Sequence, residues 1–184
     1  MGKQIMRLFL VSGLILITYF SYGQEAKLTK EQKKEIRKKE LEARYTTLDS
    51  LLASRRFVLA ADFLQGRSGE RIIVTSTLNF VKVNGETGTL QVGANSGIGY
   101  NGLGGVTAEG SIAGWVLEKN SRNHTISVRF NISSAMGHYD VLMIVSASNS
   151  TSATISGLSA GSLTWTGHLE SLNKSRVFQG QTNY

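Results

Sequence analysis

Thr125-Ile126-Ser127-Val128-Arg129-Phe130-Asn131-Ile132 alternates polar and apolar side chains without a break. An extended chain points successive side chains to opposite faces, so this stretch has one apolar and one polar face. That is the pattern of a half-buried antiparallel strand. The same period of two recurs on either side. Phe57, Leu59, Ala61 and Phe63 alternate with Arg56, Val58, Ala60 and Asp62, and Leu163, Trp165, Gly167 and Leu169 alternate with Ser162, Thr164, Thr166 and His168. The spacing predicts about eight strands, over 55–64, 71–83, 87–93, 108–119, 124–133, 138–147, 151–157 and 162–170.

The chain has no Pro, so its turns rest on Gly, Asn and Ser. Asn84-Gly85 is the strongest hairpin signal. Gly66 to Gly69, Asn120 to Asn123 and Asn149-Ser150 mark others. Short connections between neighbours predict an up-and-down meander. Stretch 71–83 is apolar on both faces (Ile72, Ile73, Leu78, Phe80, Val81, Val83), as a strand that is central or covered on its second face by a helix would be. A curved sheet or partly closed barrel removes the exposed edges such a meander would otherwise leave.

Upstream the period changes. From Thr29 to Leu52 there is neither Gly nor Pro. Thr29 and Gln32 have the spacing of a capping box, and Glu35 with Lys39 and Glu40 with Arg44 have the spacing of helical ion pairs. Leu41, Tyr45, Leu48 and Leu52 form one apolar stripe. The second half of this helix is therefore expected to pack on the strands and the first half to form a solvated arm. Ala26 to Arg44 carries eight Lys or Arg and four Glu, within a chain of formal charge +7. Such an arm attracts anionic surfaces, and its plain alternative is a solvated helix face. The interleaved Glu argue against nucleic acid. The fold class expected is α+β: an N-terminal helix packed on an antiparallel meander of about eight strands.

The first residues read as a secretory signal. Lys3 and Arg7 precede an uncharged, largely apolar run from Leu8 to Phe20, and Ser21-Tyr22-Gly23 supplies small residues at the positions a signal peptidase reads. The run is thirteen residues, short of the roughly 20 of a spanning helix. The organisation expected is a signal peptide over 1–23, a charged helix over 24–53, a β domain over 54–172 and a C-terminal tail over 173–184. Cleavage after Gly23 leaves a chain with no transmembrane segment, exported to the periplasm or secreted. The absence of Cys excludes disulfides, thiolate metal sites, Cys nucleophiles and a lipid-modified N-terminal Cys.

Two catalytic-looking motifs carry little weight. Gly97-Ile98-Gly99-Tyr100-Asn101-Gly102 matches G-x-G-x-x-G, but that fingerprint binds a pyrophosphate only where it opens a helix in a βαβ unit. Here it lies between two expected strands, in an export context where dinucleotides are scarce. Tyr100 and Asn101 remain as a contact point in a Gly-rich loop over 93–110, a length that in compact domains is usually functional or mobile, the plain alternative being a flexible or tightly bent loop. Gly157-Leu158-Ser159-Ala160-Gly161 matches G-x-S-x-G, but only His168 and Glu170 follow, in reverse order and without an Asp. His124, His138 and His168 lack metal-ligand spacing, and the acids form no evident pair. No catalytic residue, metal or cofactor is expected.

Ser54-Arg55-Arg56-Phe57-Val58-Leu59, Ser76-Thr77-Leu78-Asn79-Phe80, Gly97-Ile98-Gly99 with Gly104-Gly105-Val106-Thr107-Ala108-Glu109-Gly110, and Ala153-Thr154-Ile155-Ser156-Gly157-Leu158 resemble an uncharacterised exported family of Gram-negative bacteria, domain of unknown function 4251. The resemblance covers about Ser54 to Leu172, with a similar layout of signal and charged helix before it. It implies an envelope or secreted location and no activity.

The first functional expectation is non-catalytic binding of a small apolar ligand inside the β domain, with Trp165 on the inward stripe and Tyr100 and Asn101 in the loop as contacts. A barrel of this size can hold one ligand, and the many Gly and Ala on the inward stripes leave room for it. The alternative is a protein or cell-envelope interaction module using the basic helix or the Gly-rich loop. A hydrolase is least favoured. A solvent-open cavity lined by Phe57, Leu59, Ile126, Val128, Phe130, Leu163 and Trp165 marks the first; a filled core with an exposed apolar patch marks the second.

Overall fold

The computed structural model describes residues 29–93, 105–158 and 161–182. Chain contacts divide the molecule into two units, residues 1–37 and 38–184. Helix α1 (Lys30–Ala53) begins in the first and ends in the second. In the first unit Thr29 and Gln32 cap each other as expected. Gln32 N donates to Thr29 Oγ1 at 3.2 Å and Thr29 N donates to Gln32 Oε1 at 2.9 Å.

In the second unit nine strands follow: β1 (Arg56–Gln65), β2 (Arg71–Ile73), β3 (Phe80–Asn84), β4 (Thr87–Val92), β5 (Val106–Asn120), β6 (Thr125–Ser134), β7 (Gly137–Ser146), β8 (Thr151–Leu158) and β9 (Gly161–Ser171). All pair antiparallel. Each of β3 to β9 pairs with its sequence neighbour, and β1 pairs with both β3 and β9. Eight strands therefore close into an up-and-down barrel, with β2 as an extra strand beside the far half of β1. Closure pairs the row of polar groups that a partly closed sheet would leave free.

The expected single strand 71–83 is two strands, because the chain turns back between them. Asn79 N and its side-chain Nδ2 both donate to Thr75 O, and the fully buried Asn79 amide also bonds Gly93 O and N. That turn lets β3 pair with Arg56–Ala60 of β1 and β2 with Phe63–Gln65. Between these two segments the register of β1 against β9 slips at Asp62, a β-bulge. An extra residue moves every later side chain to the opposite face. Leu64 therefore joins the core, and Phe63, expected inward, faces outward under the Arg71 guanidinium, 3.8 Å from its ring centroid.

The hairpin at Asn84-Gly85 forms as expected, with Asn84 opposite Thr87 and Gly85 at φ +64° as the first of two loop residues. The apolar stripe of α1 begins one turn later than expected. Leu48 and Leu52 are buried and Tyr45 and Leu51 pack beside them, whereas Leu41 is 37% exposed. The outer face of β3 is covered by the C-terminal segment, not by the helix. Phe178 N donates to Thr77 O at 2.8 Å, and Gln91 Nε2 on neighbouring β4 donates to Phe178 O at 2.8 Å.

The barrel interior is filled. Phe57, Leu59, Val128, Phe130 and Trp165 have no exposed surface and Ile126 has 1%; Leu163 is only partly buried. Trp115 adds a stacked ring 5.1 Å from Phe130. Two strand glycines leave no void. A Cβ on Gly88 would lie 2.6 Å from Ile132 Cδ1, and one on Gly167 would lie 1.9 Å from the carbonyl oxygen of Ala60. Neighbouring strands and side chains already occupy that space.

Candidate functional site

The expected contact residues do not converge on one described site. Tyr100 and Asn101, with the whole G-x-G-x-x-G run, lie outside the described residues, as does Ser159. The strands flanking the G-x-G-x-x-G run, β4 and β5, pair antiparallel from Val92 opposite Val106, unlike the parallel strands of a dinucleotide fold. Trp165 lies in the core against Leu64 and Ala153 of the adjacent strands. Its indole Nε1 and the buried Thr151 Oγ1 have no hydrogen-bond partner among the described residues.

The barrel wall does bring together one set of groups that sequence spacing missed. His168 Nδ1 lies 3.3 Å from Asp62 Oδ2, and its Nε2 lies 3.1 Å from Glu170 Oε1. Glu170 was legible as the i+2 neighbour on the same face of β9; the alternation already put Asp62 outward, and the β1–β9 pairing that closes the barrel brings it to His168. Each ring nitrogen faces a different carboxylate. The three side chains are roughly a third to a half exposed, and polar contacts so open to solvent contribute little to stability. Among the described residues no group of three or more His, Cys, Asp or Glu is arranged to hold a metal ion. His124 stands edge-on to Tyr45 with ring centroids 5.6 Å apart, and His138 Nδ1 pairs with Ser133 Oγ at 2.9 Å.

A polar latch binds the C-terminal segment to β3, β4 and β5. The fully buried Gln91 accepts from Gly180 N at 2.8 Å and from Thr107 Oγ1 at 3.0 Å, while its Nε2 donates to Leu78 O and Phe178 O. Gln179 donates to Glu109 Oε2 at 2.7 Å and accepts from Lys82 Nζ. All four hydrogen bonds available to the Gln91 amide are used, which makes this latch structural.

What remains open is the outer wall of β5, β6 and β7. Strand register places Val116, Arg129 and Leu142 in one row, and Glu118, Ser127 and Ile144 in the next. Val116 is 49% exposed, Leu142 37% and Ile144 50%. The row of Glu118, Ser127 and Ile144 continues into a shallow depression lined by Lys119, Asn120 and Arg122 of the β5–β6 hairpin. Glu118 and Arg129 flank this apolar surface, and neither side chain forms an ion pair or hydrogen bond among the described residues. A second apolar spot lies on β2, where Ile72 and Ile73 are exposed.

The family profile of a domain of unknown function, DUF4251, matches residues 39–169, from the middle of α1 to the end of the barrel. The chain belongs to this family. The DUF4251 match begins fifteen residues ahead of the resemblance read from the sequence, so the family unit includes the part of the helix that packs. A crystal structure of a DUF4251 family protein from Bacteroides eggerthii DSM 20697 is similar, with a TM-score of 0.61 and 30% sequence identity over 72% of this chain and 91% of that one. No curated protein matches. DUF4251 membership thus accounts for the barrel and assigns no chemistry to it. Among the described residues no helix is long and apolar enough to cross a membrane.

Proposed function

We propose that this DUF4251 protein is a non-catalytic module of the cell envelope that works through its outer surface, docking onto a macromolecular partner rather than carrying a small ligand. The observation that carries this reading is the filled barrel beside an apolar wall. Five of the seven residues expected to line a ligand cavity have no exposed surface, while Val116, Leu142 and Ile144 lie open on neighbouring strands. A side chain that a water-sized sphere cannot touch leaves no space for a ligand beside it, and clustered apolar exposure marks interaction sites.

The ligand reading retains one observation, Trp165 Nε1 and Thr151 Oγ1 inside the barrel, unpartnered among the described residues. A ligand satisfying them would have to open the core first. Export rests on the sequence of residues 1–23, and the envelope setting follows from it. Native mass spectrometry of protein purified from the envelope fraction tests these points together. The expected result is a mature chain beginning at Gln24, bound to a protein subunit and free of small ligand. A co-purifying apolar molecule would instead support the carrier. Recovery of the full-length chain from the cytoplasm would remove the envelope setting.

A further inference from the structure

The outer wall of β5–β7 has a property that a generic sticky patch lacks: it is complementary to itself. One row holds the cation Arg129 beside the apolar Val116 and Leu142; the next holds the anion Glu118 beside the apolar Ile144. A two-fold axis lying across the strands, between the two rows, sets the first row of one copy over the second row of another. Leu142 then faces the second copy's Ile144, and Arg129 lies over the second copy's Ser127, next to its Glu118. Both contacts occur twice, as in any isologous interface. A strand-parallel axis would set Arg129 against itself, so the charges select one geometry.

We propose that this wall is a homodimer interface and that the partner it docks is a second copy of the chain. The proposal rests on the reading of the outer wall as the working surface. A barrel wall is convex and only three large apolar side chains are involved, so the contact falls at the low end of stable interfaces, which bury about 800 Å² per partner. The dimer is therefore a concentration-dependent one, with free monomer at high dilution.

Sedimentation velocity on the purified chain over a wide concentration range tests this. The expected result is a monomer–dimer equilibrium. Ile144→Asp should weaken it by about tenfold or more. Arg129→Glu and Glu118→Arg should each weaken it alone, because each places like charges together in both copies. Mixing these two variants should restore dimer, since each Glu at 129 then meets an Arg at 118 and each Arg at 129 a Glu at 118. All three side chains are on the surface, and unchanged thermal unfolding of the variants confirms that the barrel is intact. A wild-type chain that stays monomeric throughout, or a variant mixture that stays monomeric, overturns the homodimer. A photocrosslinker at position 144 in the native envelope then separates the two readings. Capture of a different protein by a monomeric chain leaves the outer wall as the working surface, whereas no capture removes both.

Discussion

At Arg55 the helix ends on a residue with φ +51°, a conformation in which glycine is usual and any other side chain is strained. The Arg is retained where it can repay part of that strain, its guanidinium lying 4.8 Å from the Trp115 ring centroid. The two effects separate by substitution. Arg55→Ala loses the cation–ring contact and keeps the strain, whereas Arg55→Gly loses the contact and relieves it. Chemical denaturation should find the Ala variant less stable than wild type, and the Gly variant more stable than the Ala variant by about 1 kcal/mol. Equal stability of the pair would mean that the backbone there is not strained. Asp62 makes a similar point. The alternation from Phe57 to Phe63 is unbroken in the sequence, and nothing in it marks the bulge that turns Phe63 out and Leu64 in.

At the scale of elements, α1 and the C-terminal segment are the attachments whose strength can be measured. Leu52 has no exposed surface and Leu41 is 37% exposed, although both belong to the same sequence stripe. Leu52→Ala should cost about 2–5 kcal/mol in thermal or denaturant unfolding, and Leu41→Ala close to nothing. Comparable losses at the two positions would place the start of packing a turn earlier. On the other side, Gln91 holds the C-terminal segment through Phe178 O and Gly180 N. Removing residues 173–184 should lower stability by about 1–3 kcal/mol, by leaving buried polar groups without their partners. The barrel should remain, because none of its strand pairs involves that segment. Circular dichroism with limited proteolysis reads both effects. Loss of the β signal on truncation would make the segment part of the barrel itself.

For the whole molecule, closure is the costly step. The β1–β9 pairing joins Phe57 to Ser171 and so encloses nearly the entire barrel sequence. Non-local pairing of this kind slows folding, to about milliseconds to seconds. The chain contains no Pro and no Cys, so neither prolyl isomerisation nor disulfide exchange can add a slower phase. Stopped-flow refolding should show no component lasting tens of seconds. A slow component whose rate depends on protein concentration would instead report association, in line with the self-complementary wall.

The sequence alone determined the strand period, the capped helix, the hairpin turns and the meander, because each depends on neighbours within a few residues. It also bounded the chemistry: without Cys, and without a spaced ligand set, no catalytic or metal site was expected. The tertiary structure decided what depends on distant residues. It closed the barrel, split 71–83 at the buried Asn79, brought Asp62 to His168 and laid the C-terminal segment over β3. The glycines show the physical reason most directly. In the sequence Gly167 of the inward stripe reads as room for a ligand, but whether a missing side chain leaves a void depends on what approaches it. In the fold the backbone of Ala60 fills that space, as Ile132 fills the one beside Gly88. The same strand period that puts Ile126, Val128 and Phe130 in a filled core leaves Ile144 and Leu142 on the opposite side of the wall, and only strand register sets Arg129 and Glu118 among them.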